Sequence, residues 1–177
     1  MSLNIEQLKY PIGKFSYDES SAQKMTNQWI KDIAYLPRRL SDLVYPLTKE
    51  QLNTPYRKGS WTVLQLIHHL ADSHINGYVR MKVALTEDNP AIKTYDQDEW
   101  AKLPDYKTKM DDSMELIYGL HKRWARILHT LKPDQLERTF QHPESGTWTV
   151  RKLIALYAWH SNHHLAHIRT LKEQKNW

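Results

Sequence analysis

The sequence predicts an all-α protein: a four-helix bundle made of two pseudo-symmetric helical hairpins joined by a long crossover link. Three observations predict it. Apolar residues recur at helical spacing over four long stretches. A repeat pairs GSWTVLQLI at 59–67 with GTWTVRKLI at 146–154. Upstream of each copy, LPRRLSDLVYPLTKEQL at 36–52 aligns with LHKRWARILHTLKPDQL at 120–136, matching Leu36 to Leu120, Arg39 to Arg123, Leu43 to Ile127 and Leu47 to Leu131. Each half then reads helix, turn, connector, helix. Two such units, neither able to cover its own apolar face, bury one another. The 177 residues fit one domain over 1–177, large enough for a core without disulfides or a structural metal.

The first helix is expected over 20–45, with Trp29, Ile30, Ile33, Leu40 and Leu43 on its apolar stripe. Pro37 should kink it, because proline has no amide hydrogen to donate. The second opens at Thr62, whose hydroxyl caps the helix while Gln65 reaches back, and ends near Leu85. The third is expected over 112–131, with Asp111 and Asp112 at its positive end, and the fourth over 149–174. The link 86–110 contains Pro90, Pro104, Tyr95, Trp100 and Tyr106. Links of that length that cross a bundle are often functional or packed as lids.

Composition removes several function classes. With no cysteine, the chain has no disulfide, no thiolate ligand and no cysteine nucleophile of its own. The net charge of +5 comes from lysines and arginines that are never more than two adjacent, so no basic stripe points to nucleic acid. The surplus suits a solvated surface or a small anionic substrate. The N-terminus lacks a leader pattern, and no stretch approaches the roughly 18 apolar residues of a membrane span, so a cytoplasmic location is expected. Bundles often pair through an exposed helix face, which makes a homodimer one assembly to look for.

The chemistry is expected in the histidines. WHSNHHLAH at 159–167 places His160, His163, His164 and His167 on the last helix. On a helical wheel Val150, Leu153, Ile154, Tyr157, Ile168 and Leu171 form the core stripe, and His160 and His164 lie on its shoulder. Imidazoles four residues apart point the same way and can close on one metal, a condition that His160/His164 and His163/His167 both meet. A third ligand is available from His68, His69 or His74 on the second helix, and the wheel slightly favours His74. A histidine pair alone is more often polar surface than a ligand pair. The partner cluster on a second helix is what raises the metal reading here. His121, His129 and His142 have no partner at such spacing and read as structural or surface residues, and Trp61 and Trp148 read as repeat core.

WTVLQLIHHLADSH on the second helix and WHSNHHLAHI on the fourth, with the early YPIGKF and the TPYRKGSW connector, resemble the DinB/YfiT family of metalloproteins over essentially the whole chain. That resemblance implies one divalent metal on three histidines: His69, just before Leu-Ala-Asp, with His160 and His164. Many relatives carry Gly-Gln where this chain has Ala166-His167. The resemblance also implies a metal-dependent hydrolase or an S-transferase using a low-molecular-weight thiol such as bacillithiol.

Three neutral imidazoles would leave a divalent ion with open positions, as in catalytic sites. Imidazole suits zinc and nickel, as it does iron and copper. The nucleophile would be water or a thiol, with Tyr157 or the 86–110 link lining the pocket and Arg57, Lys58 or Arg80 holding an anionic cosubstrate. No Glu follows the first histidine as in HExxH, and Asp72 reads as a surface or supporting residue, not a base. The competing reading is a non-catalytic metal-binding or stress-related bundle, whose histidine site would be sealed from solvent.

Overall fold

The computed structural model describes residues 4–177. After a short helix α1 (Ile5–Lys9), four long helices carry the fold: α2 (Glu19–Val44), α4 (Val63–Thr86), α6 (Met110–Leu128) and α8 (Val150–Lys175). Single-turn helices α3 (Lys49–Leu52), α5 (Gln97–Trp100) and α7 (Pro133–Leu136) punctuate the connections, and a 3₁₀ turn (Pro104–Lys107) closes the long link. Among the described residues no helix is long and apolar enough to cross a membrane.

The repeat is visible in the helix starts. Thr62 and Thr149 each accept a hydrogen bond from the backbone three residues on, at Gln65 and Lys152. Only Gln65 can return the bond, so the first copy has the full capping box and the second half of one. The second connector is three residues longer between the aligned blocks, and it forms a strand pair that the helical reading did not anticipate. Strands β1 (Thr139–His142) and β2 (Gly146–Thr149) run antiparallel, whereas the shorter first connector makes only an isolated Pro55–Thr62 bridge. The third long helix also departs from expectation, running from Met110 to Leu128 instead of 112–131. The chain leaves the helix at His129, and Pro133 prevents it from resuming through Lys132, which is held in extended backbone at φ −83° and ψ 160°.

The two halves interleave. Each long helix packs on both long helices of the other half, α2 and α4 each against α6 and α8. Two apolar clusters result. One contains Leu36, Leu40, Leu66, Ile67, Ile117 and Ile168, and the other contains Ile30, Ile33, Met81, Trp124, Leu128 and Ile154. On every long helix the sequence passes from one cluster to the other, and at the crossing stand His74 on α4, His121 on α6 and His160 on α8. The waist of the bundle is therefore a polar layer between two oily ones.

Candidate metal centre

The histidine that precedes Leu70 and the pair one turn apart on α8 meet at this waist. His69 Nε2 lies 3.2 Å from His160 Nε2, and His164 Nε2 lies 3.1 Å from the same atom. Among the described residues these three form the one group of three or more donors whose ligand atoms all lie within 4.8 Å of one another. Metal–nitrogen bonds of about 2.0–2.1 Å at angles between octahedral and tetrahedral separate neighbouring nitrogens by roughly 2.8–3.4 Å. The two close separations fall in that range. The Nδ1 atoms of His69 and His164 are buried without a hydrogen-bond partner, so neither ring is tied down by a competing contact on its far side.

Burial determines the state of these rings. His69 is pushed down to about 4, first by desolvation and then by the neighbouring His163. His160 and His164 are also held well below the ordinary histidine range, with burial again the largest cause. All three are thus neutral near pH 7, the form that can donate a lone pair to a metal. Trp61, expected as repeat core, packs partly on that core but also lays its ring 4.7 Å from the His69 ring, where it shields one side of the centre. Trp148 faces away, against Phe140, His142 and Lys152.

Two cavities meet at the centre. The larger, about 590 Å³, is bordered by all three histidines, and the smaller, about 230 Å³, by His69 and His160. Arg57 and Lys9 border the first, and Arg80, Tyr157 and Tyr95 the second. Each arginine has a buried Nε without a partner. Lys58 is exposed and borders neither cavity. Tyr157 contributes its ring only, because its hydroxyl donates to the Ser73 carbonyl at 2.9 Å. The link reaches the site through Gln97, which borders both cavities, and Asp98, a carboxylate on the larger one. Neither stood out in the sequence, because a single polar residue in a link has no periodicity to mark it.

The remaining histidines separate clearly. His163 and His167 face each other, Nε2 to Nε2 at 3.0 Å, beside the three-histidine group and along the larger cavity. Trp159 stacks on His163 with ring centroids 4.5 Å apart. His68 turns to Ser113 Oγ at 2.7 Å. His74, which the wheel preferred as a ligand, sits behind His160. Of its two expected settings, structural or surface, His121 takes the structural one: its partners come from other helices, His74 at 3.0 Å and the Ile33 carbonyl at 2.7 Å, and it is buried. His129 is exposed, and His142 borders the smaller cavity. Asp72 accepts from Tyr106 at 2.7 Å, which pins the link to α4.

Fold and site together define a helical-bundle protein with a histidine centre suited to a metal, and comparison with known proteins agrees. Residues 33–168 match the DinB superfamily. A protein of Oceanobacillus iheyensis, named "Putative metal-dependent hydrolase", is 53% identical over 169 residues, 96% of this chain and 98% of its own. One of the same name from Bacillus mycoides is 47% identical over 98% of this chain and all of its own. The solved structure of YfiT from Bacillus subtilis, described as a probable metal-dependent hydrolase with an unusual four-helix bundle topology, superposes with a TM-score of 0.92 at 43% identity, covering 97% of this chain and 99% of that one. The chain belongs to the DinB superfamily, in its YfiT-like branch.

Proposed function

We propose that His69, His160 and His164 hold one divalent ion, zinc or nickel, and that the protein is an enzyme which activates a small nucleophile against an electrophilic substrate. The observation that carries this reading is the convergence of three neutral Nε2 atoms at the junction of two open cavities. A non-catalytic bundle would be expected to seal such a centre. When bound, a divalent ion at three imidazoles supplies Lewis acidity, which brings the pKa of water toward about 7 or stabilises a thiolate.

The chain's own residues do the rest. Burial keeps the three rings neutral, and Trp61 excludes water from one flank of His69. Arg57 and Arg80, each with an unspent buried N–H, would hold anionic groups on opposite sides of the centre. Asp98, a carboxylate on the larger cavity, is the first to test as the proton acceptor that the helical motif lacks.

The names of the relatives favour hydrolysis, with water as nucleophile. The second cavity, with its own arginine, favours transfer from a low-molecular-weight thiol such as bacillithiol, since that reaction has two substrates to place. The test supplies zinc-loaded or nickel-loaded protein with a chromogenic ester or amide, and separately with an electrophilic dye with and without thiol. Thiol-independent turnover establishes hydrolysis, and thiol-dependent conjugation establishes transfer. Neither activity with either metal would reject the enzymatic reading.

A further inference from the structure

A chain of three polar contacts joins all four long helices. Pro37 lies inside α2 and has no amide hydrogen, so the carbonyl four residues earlier, that of Ile33, is left without its helical partner. That carbonyl takes its hydrogen bond instead from His121 Nδ1 on α6, at 2.7 Å. His121 Nε2 faces His74 Nδ1 on α4 at 3.0 Å, and His74 Nε2 faces His160 Nδ1 on α8 at 3.1 Å. His74 and His121 are buried, with 0% and 1% of their surface exposed.

The direction of this chain follows from chemistry. A carbonyl oxygen can only accept, so His121 must carry its proton on Nδ1. In a neutral ring that leaves Nε2 bare, and it can only accept from His74 Nδ1–H. His74 Nε2 is then bare in turn and accepts from His160 Nδ1–H. The last step leaves His160 Nε2 as a lone pair, facing His69 and His164. We infer that Pro37, His121 and His74 are positioning residues that fix the proton of His160 on Nδ1 and thereby present its Nε2 to the three-histidine centre. No other member of the centre has this support, because the Nδ1 atoms of His69 and His164 have no partner. The repeat alignment places Pro37 opposite His121, so one position of the duplicated hairpin supplies the freed carbonyl in one copy and its donor in the other.

The inference rests on the three-histidine reading for its purpose, but the proton positions can be measured without metal. Long-range ¹H–¹⁵N correlation spectra of the metal-free protein at pH 8 should show His160, His74 and His121 all in the Nδ1–H form. An Nε2–H form at His160 or His74 would overturn it. In a second arm, zinc affinity is measured by chelator competition. His74→Leu removes the acceptor and should bind about 10–100-fold more weakly, the usual cost of losing a ligand's supporting hydrogen bond. His74→Gln offers an amide oxygen near the position of Nε2 and should stay within about threefold of the wild type. Equal affinity in the two variants would count against the chain. Failure of the ligand reading would appear separately, as zinc retained by His69→Ala with the Nδ1–H pattern unchanged.

Discussion

The ring of Tyr157 lies directly on Gly77: a methyl group built at Gly77 would fall 2.3 Å from Tyr157 Cζ. The close approach brings α8 against α4 beside the smaller cavity and lets the tyrosine hydroxyl reach the Ser73 carbonyl. Alanine would gain up to about 1 kcal/mol of helix propensity at this position. Overpacking of an enclosed ring costs about 1–3 kcal/mol, so the clash should win. Gly77→Ala is expected to lower stability in urea unfolding. An unchanged or raised midpoint would show that the interface has slack the geometry denies.

The Tyr106–Asp72 bond should hold the link against the bundle. Tyr106→Phe leaves a partly buried carboxylate without its donor, at a cost of about 1–3 kcal/mol. It should also open the 86–110 link to protease. Asp72→Asn retains an acceptor and should be the milder change. Wild-type resistance to cleavage in Tyr106→Phe would mean that the bond does not secure the link.

Acid should destabilise the metal-free protein in a defined window. Burial holds His121 at about 4 in the folded chain, and His167 at about 3 through burial first and then His163 and Arg57. Both return to about 6.5 on unfolding. Above that value neither state takes up the protons. As the pH falls below it, the unfolded chain binds protons that the folded chain refuses, so stability falls until the folded-state values are reached. Urea midpoints should be level from pH 8 to 7 and decline steadily from 6.5 toward 4. A flat profile across that window would contradict buried, neutral rings.

Much of this was legible in the sequence, and the reason differs from element to element. The capped start at Thr62 could be read because capping is local chemistry, and the four apolar stripes because burial imposes a period. His160 and His164 could be paired from spacing alone, although the same spacing suited His163 and His167. Choosing His69 over His74 needed family resemblance, because the wheel carries no information on the rotation of α4 against α8. The role of His121 was out of reach for the same reason: its partners lie 47 and 88 positions away in sequence. Pro37 was expected to bend its helix, and the carbonyl it frees gained meaning only once a donor from another helix was found beside it. The β1–β2 pair was missed because its residues sit inside a repeat whose first copy is too short to form it.

The most direct measurement is metal content per chain after loading with zinc or nickel and desalting, compared across the wild type, His69→Ala, His160→Ala, His164→Ala and His163→Ala. One ion per chain is expected in the wild type and in His163→Ala, and a large loss in each of the other three. Full occupancy in any of those three, or loss only in His163→Ala, would place the ion elsewhere and remove the basis for the proposed chemistry.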